Sequence, residues 1–296
     1  MRVLASRRLP GPAWDELGDV EILEAPLVEA RPDVEALVVV AESVGDRLLD
    51  LLPNLRIVAN YGVGYDGVDV EACARRGVAV TNTPGVLDAA TADLALGLLL
   101  AVRRRIVEAD RYVREGKWGT DWAEAVLLGD EVSGATLGIV GLGRIGSAVA
   151  RRARAFDMQV LYTRRSPDAG SVALDELLAE ADIVSLHVPL TEETNGLIDA
   201  RRLALMRDGT CLVNTARGAI VDEEALVREL VSGRLRAGLD VFAHEPSVPP
   251  ELLDLPNVVL TPHIGSGTRA TREAMTRVLV DNLLAARDGR EPPNRV

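Results

Sequence analysis

Two short stretches decide how this chain reads: Gly141-Leu142-Gly143-Arg144-Ile145-Gly146 and, about twenty residues on, Val160-Leu161-Tyr162-Thr163-Arg164-Arg165-Ser166. Three glycines at these spacings are a weak signal alone. Here an apolar strand, Leu137-Gly138-Ile139-Val140, precedes them, and a helical stretch from Ser147 to Phe156 follows. That order of strand, turn and helix is what a dinucleotide fold requires: glycines permit the tight turn, and the free N–H groups of a helix N-terminus can then face a pyrophosphate. A site for an unphosphorylated ribose wants a carboxylate at the end of the second strand. This chain has Arg164 there, flanked by Thr163, Arg165 and Ser166. Two guanidinium groups and two hydroxyls suit a 2′-phosphate, and nothing at the strand end rewards a bare ribose, so the expected cofactor is NADP, with NAD possible. The plainer alternative is a solvated loop after a strand.

Composition sets the outer bounds. A chain of 296 residues suggests two domains with real cores. Net charge is −12 and the single lysine, Lys117, belongs to no basic tract, so neither nucleic acid nor an acidic membrane is an expected partner. Cys73 and Cys211 lack Cys/His partners at zinc spacing, so no metal is expected and a reduced, cytoplasmic setting is the simplest reading. No apolar signal segment precedes the first strand, and no run reaches the roughly 18 apolar residues of a membrane span.

Short apolar runs alternate with helix-like segments throughout, the pattern of parallel sheets covered by helices. Strands are expected at 2–6, 20–23, 36–40, 55–60 and 78–82, forming one α/β unit. A second series begins at Leu137 and continues at 159–162, 183–187, 210–214, 237–241 and 258–261. Between them, Thr91 to Ala109 reads as one long helix with Leu94, Leu98, Val102 and Ile106 on a stripe. Then comes an arm, Tyr112 to Gly129, whose Trp118 and Trp122 suit burial against a second subunit or against their own domain. A helix from Thr268 to Ala286 returns to the first unit. The expected domains are therefore 1–95 and 269–296 for one unit and 96–268 for the other.

Catalytic groups of open α/β proteins sit beyond the carboxyl ends of strands. Three polar residues stand there: Arg217 after Asn214-Thr215-Ala216, Glu245 after Asp240-Val241-Phe242, and His263 after Thr261-Pro262. A histidine exchanges protons near neutrality, a carboxylate beside it favours the imidazolium, and an arginine grips a carboxylate with its planar fork. Together they suit hydride transfer to a 2-oxo acid. Singly, each could be a cap, a solvated acid or a bridge between strand ends. His187 also follows a strand, but beside Val188-Pro189-Leu190 it reads as wall, and His244 is left without a role.

These motifs, with Asn82-Thr83-Pro84-Gly85-Val86 and His187-Val188-Pro189-Leu190-Thr191, run in order along nearly the whole chain and resemble the D-isomer-specific 2-hydroxyacid dehydrogenase family. Ala59-Asn60-Tyr61-Gly62-Val63-Gly64-Tyr65-Asp66 and the arginine pair make the glyoxylate/hydroxypyruvate reductases the most similar branch. The resemblance implies an α/β fold of two doubly wound parallel-sheet domains, a Rossmann-type cofactor domain inserted into a flavodoxin-like substrate domain. It implies that His263, paired with Glu245, delivers a proton while hydride reaches the substrate carbonyl. Arg217 would bind the 2-oxo acid together with the N–H groups of Val63 and Gly64. Cofactor contacts are implied at Thr91, at Gly141, Leu142, Gly143, Arg144, Ile145 and Gly146, and at Thr163, Arg164, Arg165 and Ser166. Further contacts are implied at Val188, Pro189, Thr194, Thr215, Ala216, Asp240 and Gly265. A homodimer joined through the tryptophan arm is also implied. Alternatives are a dehydrogenase of another D-2-hydroxy acid, such as 3-phosphoglycerate, and a non-catalytic nucleotide-sensing relative.

Overall fold

The computed structural model describes residues 1–119 and 127–296. The chain divides into two units, the first from 1–87 and 266–296 and the second from 88–265. These borders differ from the expected 95 and 268. The helix α3 (Asp88–Arg103) is continuous and packs along its length on elements of the second unit, so a cut at 95 would split one rigid rod.

In the first unit, β1 (Val3–Ala5), β2 (Val20–Ile22), β3 (Ala36–Val39), β4 (Ile57–Asn60) and β5 (Ala79–Thr81) form one parallel sheet in the order β2-β1-β3-β4-β5, a flavodoxin-like order. Its central strands are short β-branched and aliphatic runs buried on both faces, as a helix-covered parallel sheet demands. Leu4, Leu37, Val39, Val58 and Val80 meet Leu49 of α1 (Asp46–Leu51) and Ala72 and Cys73 of α2 (Val70–Arg75). The returning helix α9 (Arg269–Arg287), capped by Thr268 on the N–H of Thr271, packs on β4, where Tyr61 donates its hydroxyl to the carbonyl of Arg272 at 2.7 Å.

The second unit is Rossmann-type. Its strands β6 (Thr136–Val140), β7 (Gln159–Thr163), β8 (Ile183–Leu186), β9 (Cys211–Asn214), β10 (Arg236–Leu239) and β11 (Val258–Leu260) lie parallel in the order β7-β6-β8-β9-β10-β11. Period-two alternation decides which face each residue serves. Leu137 and Ile139 join Ala148 and Val149 of α5 (Arg144–Ala155) and Leu98 of α3, whereas Val140, Val184 and Leu212 join a second cluster on α6 (Leu174–Glu180), α7 (Ala200–Leu205) and α8 (Glu223–Val231). Strand order reverses between β6 and β8, and open α/β sheets bind ligands beyond the carboxyl ends of such a pair.

The single helix expected from 91 to 109 is two. Arg105 takes a left-handed backbone, φ 53°, and separates α3 from α4 (Ile106–Arg114). Its guanidinium is held by both oxygens of Glu108 at 2.7 Å, which fixes the break. A hydrophobic stripe is blind to such a break, because a local ion pair can override it without altering the pattern. No helix of the described residues is long and apolar enough to cross a membrane.

Candidate active site

The glycine turn begins where β6 ends. Gly141 has φ +97°, and a Cβ there would lie 2.8 Å from the carbonyl oxygen of His187, so glycine alone lets the turn pass the end of β8. Gly143, by contrast, has nothing within 4 Å of its would-be Cβ. Helix α5 begins at once with Arg144, Ile145 and Gly146, three positions earlier than the sequence pattern suggests, and no side chain caps its N-terminus. Asp69, Asp199 and Asp222 do cap α2, α7 and α8. An uncapped helix start beside an open glycine is the cradle a pyrophosphate fits. The N–H of Gly141 donates to the carbonyl of Thr163 at 3.0 Å, which delivers Arg164, Arg165 and Ser166, all exposed, to the edge of that cradle. One neighbour went unforeseen: Asp168 accepts from Nη1 of Arg164 at 2.8 Å, so an acid does stand near the strand end.

Beyond β8, Val188 and Pro189 follow His187, whose imidazole is hydrogen-bonded to Ser185 Oγ at 2.8 Å. Burial pushes this imidazole down to about 4, so it is neutral at working pH and suits a wall. Thr194 ties the same loop, donating to the carbonyl of Pro189 at 2.6 Å. Beyond β9, Asn214 shapes the next turn, accepting from the N–H of Ala216 at 3.0 Å and donating to the carbonyl of Arg217 at 2.9 Å. The buried hydroxyl of Thr215 has no protein partner, an orphan that a cofactor would satisfy.

Glu245 and His263 come together as the sequence suggests, with Nδ1 of His263 2.7 Å from Oε2 of Glu245. Burial would raise the Glu245 carboxyl, but the hydrogen bond and charge of His263, the N–H of Phe242 and the charge of Arg217 hold it below its ordinary value. The carboxylate is thus ionised, and it engages Nδ1 of His263, with Nε2 on the far side of the ring. His263 itself sits in the left-handed region at φ 53°, and Asp240 explains how. This wholly buried residue accepts from the Thr261 hydroxyl at 2.6 Å and from the N–H groups of Ile264 and Gly265, each at 2.8 Å, while its carbonyl takes the N–H of His263. Asp240 therefore builds the histidine's loop from inside, a task its strand-end position did not announce. Thr91, buried in α3, lies alongside, 3.4 Å from the would-be Cβ of Gly265.

In the first unit the loop of Val63 and Gly64 has a defined polarity. The carbonyl of Gly62 accepts from Asn60 Nδ2 and from the N–H of Thr83, and that of Val63 accepts from Asn82 Nδ2 at 2.9 Å. In a trans peptide the next residue's N–H points the opposite way, so Val63 and Gly64 turn their donors away from these asparagines. Asn60 and Asn82 shape this loop through its carbonyls, a task that the sequence shows only as polar groups at strand ends. Trp118 is exposed, and Trp122 lies outside the described residues.

A Rossmann-type unit with a glycine cradle and a carboxylate-histidine pair at its strand ends defines a nicotinamide-dependent oxidoreductase. The model of the D-isomer specific 2-hydroxyacid dehydrogenase NAD-binding domain matches residues 96–265, and the chain belongs to that family. It is 48% identical over 296 residues to a glyoxylate reductase of Thermococcus onnurineus (strain NA1), covering 96% of this chain and 88% of the relative. It is 49% identical over 282 residues to one of Korarchaeum cryptofilum (strain OPF8), covering 91% and 85%. Among solved structures, a Thermus thermophilus protein superposes with a TM-score of 0.93 at 48% identity, with both chains fully covered. An NADPH-dependent glyoxylate/hydroxypyruvate reductase of Sinorhizobium meliloti, crystallised with NADP and malonate, gives 0.91 at 39% identity, covering 100% of this chain and 96% of that one.

Proposed function

We propose that this enzyme reduces glyoxylate or hydroxypyruvate to the D-2-hydroxy acid with NADPH. The observation that carries the reading is the 2.7 Å contact between an ionised Glu245 and His263, within the field of Arg217. Bound reduced nicotinamide supplies the hydride. His263 holds a proton on Nε2, aimed at the substrate's carbonyl oxygen, and Glu245 fixes the ring by accepting from Nδ1. Arg217 binds the substrate carboxylate and polarises the oxygen, so that the negative charge developing there meets a fixed cation. In the first unit, the N–H groups of Val63 and Gly64 are donors that suit a substrate carboxylate. At the cofactor's other end, α5 takes the pyrophosphate, and Thr163, Arg164, Arg165 and Ser166 take the 2′-phosphate. Thr91, Val188, Pro189, Thr194, Thr215, Ala216 and Gly265 line the remainder of the cofactor's path, and Asp240 stands behind them, holding the loop of His263. A non-catalytic nucleotide sensor would have no use for the Glu245-His263 pair.

The test is cofactor oxidation with each of three acids. Glyoxylate and hydroxypyruvate should outrun 3-phosphohydroxypyruvate in kcat/KM, because the Asn60–Gly67 loop offers no cation for a second anion. NADPH should be preferred to NADH by about tenfold or more, since one charge-assisted contact contributes about 1.5–3 kcal/mol. The phosphorylated acid ranking first, or equal rates with both cofactors, would overturn the corresponding half of the proposal. We also infer a homodimer: α4 buries none of its own residues, and Ile106, Val107, Val113 and Trp118 are exposed together. A monomer in sedimentation equilibrium would refute it.

A further inference from the structure

Arg164, the residue assigned to the 2′-phosphate, already holds an anion. Its Nη1 donates to Asp168 Oδ2 at 2.8 Å. The other oxygen, Oδ1, accepts from the Tyr162 hydroxyl at 2.7 Å and from the N–H of Gly170 at 3.1 Å. The backbone around Asp168 is equally tied. Ser171 Oγ accepts its N–H at 3.0 Å and donates to its carbonyl at 2.9 Å, while the N–H of Val172 returns to the carbonyl of Tyr162. Even the glycine at 170 belongs to the arrangement, since a Cβ there would lie 2.5 Å from the Tyr162 hydroxyl. An ordinary exposed pair four residues apart has two mobile ends and contributes little. This one has its acid held in place apart from the arginine, with Oδ1 fastened to Tyr162 of the strand that presents Arg164 and the backbone fastened to Ser171, so that Oδ2 is left for the guanidinium.

We propose that Asp168 is a specificity-determining residue, a built-in anion that competes with the 2′-phosphate for Arg164 and so keeps NADH within the enzyme's reach. The inference rests on Arg164 being the phosphate contact. A guanidinium has donors on two edges, so phosphate and carboxylate can share it. Two anions on one guanidinium sit roughly 5–6 Å apart, and at a wet surface their repulsion changes affinity by about 3- to 20-fold. Neutralising Asp168 removes that repulsion and releases one edge of the arginine. An unphosphorylated ribose brings no charge to the same place and is nearly indifferent to the change. The Tyr162 hydroxyl and the Gly170 N–H both donate, so an asparagine oxygen can still serve them and the turn can persist.

The experiment is calorimetric titration of the whole enzyme with 2′,5′-ADP and with 5′-ADP, alongside kcat/KM for NADPH and NADH. Asp168→Asn should tighten 2′,5′-ADP by about 3- to 20-fold, leave 5′-ADP within about twofold, and raise the NADPH preference by the same factor. Arg164→Ala should erase the difference between the two nucleotides. Tyr162→Phe, which removes a tether but keeps the charge, should leave their ratio near wild type. Unchanged or weakened 2′,5′-ADP binding in Asp168→Asn, with Arg164→Ala still erasing the difference, would overturn the role of Asp168 alone. A ratio moved by Tyr162→Phe as far as by Asp168→Asn would assign the effect to loop shape and also overturn it. If Arg164→Ala leaves the ratio unchanged, the phosphate reading itself fails and the proposal falls with it.

Discussion

Substituting Gly218 with alanine tests the catalytic geometry from a position that carries no chemistry. Gly218 directly follows Arg217, and a Cβ there would lie 1.9 Å from the carbonyl carbon of Phe242, 2.2 Å from its oxygen and 2.3 Å from the nitrogen of Ala243. All three are backbone atoms, so no rotamer change relieves the overlap. Restoring an ordinary carbon contact of ~3.5 Å requires the Arg217 turn and the segment leading to Glu245 to separate by about 1.5 Å. A displacement of about 1 Å among reacting groups can cost about a hundredfold in rate, and overpacking typically costs about 1–3 kcal/mol of stability. Gly218→Ala should therefore fold, melt several degrees lower, and lose about two orders of magnitude in kcat/KM for glyoxylate. NADPH affinity, read by fluorescence titration, should fall far less than kcat/KM, because the pyrophosphate and 2′-phosphate contacts follow β6 and β7 and only Thr215 and Ala216 lie on the displaced turn after β9. A variant with unchanged melting temperature and a kcat/KM within about threefold of wild type would refute the reasoning, since the two loops would then have slack that the geometry denies.

His263→Ala should lower kcat by about a hundred- to ten-thousandfold with cofactor affinity nearly intact, and a mild loss would remove it from the proton step. Glu245→Gln takes away the anion beside the imidazole, so the alkaline fall-off of reduction should move to lower pH, and a superimposable pH profile would argue against the pair. His187 predicts an acid-dependent loss of stability. Its folded imidazole resists protonation down to about 4, whereas the unfolded chain takes up a proton near 6.5, so the unfolded state binds more protons in between and stability falls as pH drops through that window. His187→Asn should flatten the melting temperature against pH between those values, and a slope equal to wild type would count against the burial argument.

Much of this molecule is written locally in its sequence. The eleven strands of the described residues fall within about two residues of where short apolar runs place them, most plainly for the central strands, which are buried on both faces and so are apolar almost throughout. The glycine turn and the Glu245-His263 pair are legible because their positions follow from strand ends. What escaped depends on contacts between distant or conformationally special residues. The break at Arg105 rests on one ion pair and a positive φ, neither of which leaves a periodic trace. Asp240 reads as a cofactor contact, yet its oxygens serve a loop more than twenty residues away. Asn60 and Asn82 bond to loop carbonyls and Asp168 pairs with Arg164, and an asparagine or aspartate near a strand end is too common to announce either contact.

The backbone of His263 bears on evolution as much as on catalysis. A side chain in the left-handed region costs about 1–2 kcal/mol that glycine avoids, and Asp240 stays buried to hold the loop in that shape. Chain drift under selection for stability alone would put glycine at 263. We expect His263→Gly to melt higher than His263→Ala, and an equal or lower melting temperature would contradict this view. A relative whose residue at this position had become glycine would then mark a lineage freed from proton transfer, gaining in durability what it gave up in chemistry.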